Sequence, residues 1–147
     1  MEVRPLRAQD LPTLESYWQT PPWSGRAPEL RAIAATAARA GSPEHRGLVA
    51  LEAGEITGVA LFRFVAGSVG TGEIECVAGT DRNVSSSLLQ AALTALRSDG
   101  SRLTVAEYPG SPEWQSHESL LLDAGFQSSI SVADYFADGV PLRIALI

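Results

Sequence analysis

The chain has 147 residues, enough for one domain with a single core, and at 45% hydrophobic and 19% charged residues it is too apolar for a disordered segment. A net charge of −6 and a pI near 4.8 set a field that repels polyanions, which argues against nucleic acid or an anionic membrane as partner and for a cationic small molecule or basic peptide. The single cysteine, Cys76, excludes an intramolecular disulfide framework and a Cys-rich zinc site, so no metal is expected.

Residues 3–7 (VRPLR) read as a short strand. Asp10 reads as the N-cap of a helix in which Leu11, Leu14 and Trp18 are helically spaced, up to the break at Thr20–Pro22. Residues 27–40 form an alanine-rich helix closed by Gly41, and residues 47–65 read as two strands about a tight Ala53-Gly54-Glu55 turn. A glycine-rich turn, 67–72, leads into the strand EIECV, 73–77. This GSVGTG run passes from strand to strand and never opens a helix, so it lacks the context of a phosphate-binding glycine loop. The helix at 84–97 carries Leu88, Leu89, Ala92, Leu93 and Leu96 on one stripe. A strand at 102–108, a helix at 112–124 ended by Gly125, and two strands at 126–136 and 141–147 about an Asp138-Gly139 turn complete the chain. The fold class is mixed α/β, with the order βααβββαβαββ, which is not a strict βαβ alternation.

That order, over nearly the whole chain, resembles the GNAT-fold N-acetyltransferase superfamily. DGVPLRIALI is similar to the ending of many members, LLLDAGF to the Leu-Gly-Phe close of their fourth helix, and AGEITGVALF to their second hairpin. The resemblance implies acetyl-CoA as cosubstrate and acetyl transfer to a primary amine of a small molecule or peptide. It also implies parallel strands 73–77 and 102–107 that diverge at their C-terminal ends. A homodimer fits too, since related folds often dimerise. The opening MEVRPLRAQD has no signal-peptide core and no apolar run reaches the ~18 residues of a membrane span, so the expected compartment is the cytoplasm. The competing reading is a degenerate module of the same fold that binds CoA, or another ligand, without turnover.

The superfamily's pyrophosphate loop, Arg/Gln-x-x-Gly-x-Gly/Ala, aligns on Leu88-Leu89 with Thr80 at the basic position, Asn83 at the first glycine and Ser85 at the second. The loop works because N–H groups at a helix start converge on phosphate oxygens. Asn83 is the next best residue to glycine for a left-handed conformation, Arg82 can supply the missing charge, and Ser85, Ser86 and Ser87 can add hydroxyl donors. With Val84 and the backbone of Cys76 and Val77, these are the expected cofactor-binding residues. Asp81 opposes phosphate by its charge, or simply caps the helix.

Acetyl transfer needs a deprotonated amine, a stabilised oxyanion and a tolerated thiolate. Alternation places Glu73 and Glu75 on one face of the fourth strand and Ile74 and Cys76 on the other. Two carboxylates about 7 Å apart raise each other's pKa, so Glu75, with Glu73 beside it, is the candidate base. Many members carry a tyrosine acid at the position of Leu121, which has no proton to give; Tyr108 and Tyr135 are its substitutes by position. A thiol of pKa ~8.5 can also leave unaided. His117 and Trp114 share a helix face, read mainly as packing, and Pro21, Pro22, Trp18 and Trp23 fall where an acceptor wall is expected.

Overall fold

The computed structural model describes residues 1–39, 41 and 44–147. Its strands are β1 (Glu2–Pro5), β2 (His45–Glu52), β3 (Glu55–Phe64), β4 (Thr71–Gly79), β5 (Leu103–Pro109), β6 (Gln127–Ala137) and β7 (Val140–Leu146). Its helices are α1 (Leu11–Trp18), α2 (Ala27–Ala37), α3 (Arg82–Ser98) and α4 (Gln115–Asp123), with short 3-10 turns before α1, α2 and α4. The element order is the one expected. The last residue of the anticipated 27–40 helix, Ala40, lies outside the described residues.

One seven-stranded sheet runs β1-β2-β3-β4-β5-β7-β6, antiparallel except for the β4–β5 pair. α1 and α2 pack against one face, α3 and α4 against the other. The β2–β3 turn puts Ala53 (φ 50) and Gly54 (φ 81) both in the left-handed region, which matches the twist of a two-residue hairpin. On α3 the predicted stripe is buried: Leu88, Leu89, Ala92, Leu93 and Leu96 are each 1% exposed or less, and Val84 joins them at 2%. Each of the valine and leucine side chains adds about 1.5–3 kcal/mol of hydrophobic stabilisation.

Two local expectations are corrected. Asp10 precedes α1, but its carboxylate makes no capping bond to that helix. It turns back, accepting from Arg4 Nη1 (2.8 Å), Arg4 Nη2 (2.9 Å) and the Arg7 N–H (2.9 Å), because a nearby guanidinium offers charge-assisted bonds that a lone N–H cannot match. That pairing holds the Asp10 carboxyl below the usual carboxylate range. The second concerns β4, where Leu61 lies opposite Cys76 and Phe62 opposite Ile74. Glu75 is thus the extra residue of a β-bulge, and past it the alternation slips by one. Cys76 joins Glu73 on the face of Leu61 and Arg63, so Ile74 and Cys76 do not share a face.

Candidate functional site

The bulge sits where β4 leaves β5. The two strands are paired from Thr71↔Leu103 to Ile74↔Ala106 and no further, although β4 continues to Gly79 and β5 to Pro109. The expected parallel pair that parts at its C-terminal ends is therefore present. From the splay a cavity of about 590 Å³ opens between the α1–α2 connection (Tyr17 to Trp23), the end of β4 with the start of α3 (Val77 to Arg82, and Ser85), and α4 (Ser116, His117, Leu120). That is within the ~300–1,000 Å³ of small-molecule sites.

Glycines bring α3 onto β3 and β4. A Cβ at Gly58 would lie 2.7 Å from Leu88 Cδ1, and one at Gly79 would lie 2.7 Å from Ser85 Oγ and 2.9 Å from Ser85 N. The first turn of α3 is thereby pressed against the end of β4. α3 begins at Arg82, two residues earlier than its apolar stripe indicates, with Asp81 as N-cap accepting from the Val84 N–H at 2.9 Å. Asn83 therefore sits inside the first turn, and it is absent from the left-handed residues Ala53 and Asp134, which corrects the expectation of a left-handed Asn83. The reason is the Asp81 cap, which closes a regular helix start without a glycine. Among the described residues, the N–H groups of Arg82 and Asn83 have no acceptor. Arg82 reaches α4, donating to Ser119 Oγ at 3.1 Å and pairing with Asp123.

Of the expected cofactor-binding residues, Val77, Arg82 and Ser85 line the cavity, while Cys76, Asn83, Val84, Ser86 and Ser87 do not. Cys76 and Val84 are core residues, and burial pushes the Cys76 thiol far up. Glu73 and Glu75 share the α2 face, as expected, but neither lines the cavity. Arg63 Nη2 donates to Glu73 Oε2 at 2.8 Å, and Arg63 Nε is 3.5 Å from Glu75 Oε1. Glu75 Oε2 meets His45 Nδ1 at 2.8 Å. Burial raises the Glu75 carboxyl, against the opposing pull of His45.

No protein-family model matches the sequence, and neither does any curated protein sequence. Solved structures do match. One assigned to the GNAT acetyltransferases, from Desulfovibrio desulfuricans, superposes with a TM-score of 0.85 at 18% identity, over 99% of this chain and 97% of that one. The ribosomal-protein-S18-alanine N-acetyltransferase of Escherichia coli gives 0.76 at 15% identity, over 99% and 92%. A Salmonella typhimurium protein, described as an acetyltransferase and solved with its cofactor acetyl-CoA, gives 0.71 at 17% identity, over 99% and 92%. The fold is the GNAT fold.

Within this GNAT fold, rings drawn from three distant segments pack together, and two of them, Trp23 and His117, reach the cavity. Trp23, ahead of α2, packs edge-to-face on Trp114 (4.9 Å between centroids) and on His117 of α4 (5.0 Å), and Tyr108 of β5 packs on His117 at 5.8 Å. All four are buried. Pro21, Pro22 and Trp23 do line the cavity, whereas Trp18 is a core residue. Leu121, where the resemblance places a tyrosine, is fully buried. Tyr108 does not line the cavity either; its hydroxyl donates to Glu118 Oε2 at 2.8 Å, and burial with that neighbour pushes it up to about 12. Glu118 also accepts from Arg143 at 2.8 Å. Tyr135 is exposed on the edge strand β6. The sequence reading missed Tyr17 and Thr20 as cavity residues; Tyr17, off the Leu11–Leu14–Trp18 stripe of α1, and Thr20, just past its end, carried no signal of their own.

Proposed function

We propose that the chain is an acetyl-CoA-dependent N-acetyltransferase acting on a primary amine of a small molecule or peptide. The observation that supports this best is the β4–β5 splay opening onto a cavity floored by the start of α3. The open N–H groups of Arg82 and Asn83, with the dipole of a 17-residue helix behind them, suit the pyrophosphate. Arg82 can turn to it at small cost, because its pairing with Asp123 is on the surface and worth about 0–1 kcal/mol. Asp81 opposes this, since its carboxylate already occupies the Val84 N–H. The Cys76 and Val77 backbone and the serine hydroxyls at 85–87 complete the proposed contacts.

When bound, acetyl-CoA supplies an activated acetyl thioester. Glu75 is the proposed base: burial raises its proton affinity, which suits it to take a proton from an ammonium near neutral pH. Glu73, neutralised by Arg63, holds the charge balance beside it. Tyr108 remains protonated and tied to Glu118, so the thiolate leaves without an acid or through water. A single cytoplasmic domain, with a homodimer as the assembled form, belongs to the same proposal.

A second reading, a CoA-binding module without turnover, is favoured by one observation. Trp23 and His117 form the cavity wall, and neither Glu73 nor Glu75 reaches the cavity. Incubation with acetyl-CoA and a broad amine panel, followed by thiol release, separates the two. Release that depends on amine supports the enzyme; binding without release in any amine supports the module.

A further inference from the structure

A second cavity, of about 670 Å³, shares no residue with the first. It opens between the β1–α1 connection, the end of α2 and the start of β2. The connection is pinned to β2 at one point. There the Leu6 N–H donates to the Gly47 carbonyl at 2.9 Å, and a Cβ at Gly47 would stand 2.8 Å from Leu6 Cδ2. The inner wall is apolar, with Leu6, Leu48 and Phe62 as its largest apolar side chains; Leu6 is 5% and Phe62 1% exposed.

The charged lining has one sign. Arg7, Arg39 and Arg46 line the cavity and, among the described residues, no Asp or Glu does, on a chain with 17 acidic residues and 11 basic ones. The carboxylates that touch lining residues stay outside it: Asp10 at the Arg7 N–H, Asp99 at Arg46 and Glu75 at His45. Arg46 is a fixed part of the wall, paired with Asp99 and lying 5.0 Å over the Phe62 ring. Arg7 and Arg39 are exposed, and neither guanidinium is in an ion pair among the described residues. They come from the two opposing walls, Arg7 from the β1–α1 connection and Arg39 from just past α2. His45 adds a polar group whose side chain is 18% exposed and whose Nδ1 is taken by Glu75 Oε2 at 2.8 Å.

This lining selects a ligand by charge and by body. A guanidinium fork matches a carboxylate with two parallel hydrogen bonds. A dianion would cost more to strip of water against Leu6 and Phe62, and the field of a chain with net charge −6 repels multiple negative charge. A wholly apolar ligand would cover Arg7 and Arg39 with nothing to balance their charge. A volume near 670 Å³ lies within the ~300–1,000 Å³ of small-molecule sites. We infer that the second cavity is a binding site for a small amphipathic carboxylate, with its charge held by Arg7 and Arg39 and its acyl or aryl body laid on Leu6, Leu48 and Phe62. The inference is independent of the acetyl-CoA reading, because the two cavities have no residue in common.

The test is calorimetric titration with octanoate, acetate and 1-octanol of the unaltered protein and of the Arg7→Gln, Arg39→Gln double variant. Glutamine keeps a polar side chain and removes the charge, and both positions are exposed, so the parent's Tm is expected. In the unaltered protein octanoate should bind with one equivalent, and acetate and 1-octanol each more weakly by about tenfold or more. The double variant should lose about tenfold or more in octanoate affinity and keep its affinity for 1-octanol. At fixed pH the ¹⁵N resonances of the His45 ring should move on adding octanoate to the unaltered protein, a reading that needs no variant, and millimolar CoA should not displace the octanoate. Octanoate affinity unchanged in the double variant, 1-octanol binding as tightly as octanoate, or a His45 ring that does not respond at saturating octanoate overturns the assignment. Displacement of octanoate by CoA, which would place it in the first cavity, overturns it as well, and so does an absence of octanoate binding at millimolar concentration.

Discussion

Adding one methyl group at Gly79 tests whether the close seating of α3 on β4 builds the cavity. In Gly79→Ala the new Cβ would lie 2.7 Å from Ser85 Oγ, 2.9 Å from Ser85 N and 3.0 Å from Val84 Cγ1. The hydroxyl can rotate away, but the backbone nitrogen cannot, so the first turn of α3 must move off β4 by about half an ångström to regain ordinary contact. Overpacking of this kind costs about 1–3 kcal/mol. At ~2–4 °C per kcal/mol for a chain of this size, a cost near 2 kcal/mol lowers Tm by about 4–8 °C. The same movement displaces the Arg82 and Asn83 N–H groups, so CoA, whose pyrophosphate they are proposed to hold, should bind more weakly by calorimetry. Gly25→Ala is the control: its Cβ would meet nothing within 4 Å, and Tm should stay within about 1–2 °C of the parent. A Gly79→Ala protein with the parent's Tm and CoA affinity would refute the argument.

The remaining predictions concern charge. Glu75→Gln should lose roughly 10²- to 10⁴-fold in turnover of a responsive amine with acetyl-CoA affinity retained, and should regain part of the rate at high pH. The folded protein raises the Glu75 pKa, so the carboxyl favours folding below the ordinary carboxylate range and loses that contribution as pH rises through the raised value. Denaturant melts should accordingly show Glu75→Gln gaining on the parent as pH increases from 4 to 8. Asp10 has the opposite sign: its pKa is lowered, chiefly by the Arg4 hydrogen bonds, so its contribution is present above the usual Asp range and lost on acidification. Asp10→Asn should be less stable by about 2 kcal/mol at pH 7, with the gap closing as pH falls toward 2. Arg82→Ala should change stability by less than about 1 kcal/mol, since the Asp123 pairing is exposed, and should weaken CoA binding while reducing its salt dependence.

The element order was legible because each helix announces itself by a stripe and each hairpin by its turn: Leu88 to Leu96 for α3, Ala53-Gly54 and Asp138-Gly139 for the hairpins. The parting of β4 from β5 was legible only through the resemblance. The bulge at Glu75 was not, since EIECV alternates faultlessly on paper and the extra residue shows only against the register of β3. The start of α3 was placed too late because Arg82 and Asn83 are polar and carry no periodic signal, although Asp81 three residues before Val84 is an ordinary cap. The aromatic cluster behind the cavity depends on Trp23, Tyr108, Trp114 and His117 meeting in space, and nothing in local spacing relates the first to the others.

The most direct test of the central claim is thermal unfolding in the presence of increasing acetyl-CoA, with the unaltered protein. Ligand at 100-fold over Kd should add ~2.7 kcal/mol, which at ~2–4 °C per kcal/mol raises Tm by about 5–11 °C, saturably and with one equivalent bound. A Tm that does not move at millimolar acetyl-CoA would contradict the proposal that this cavity holds it.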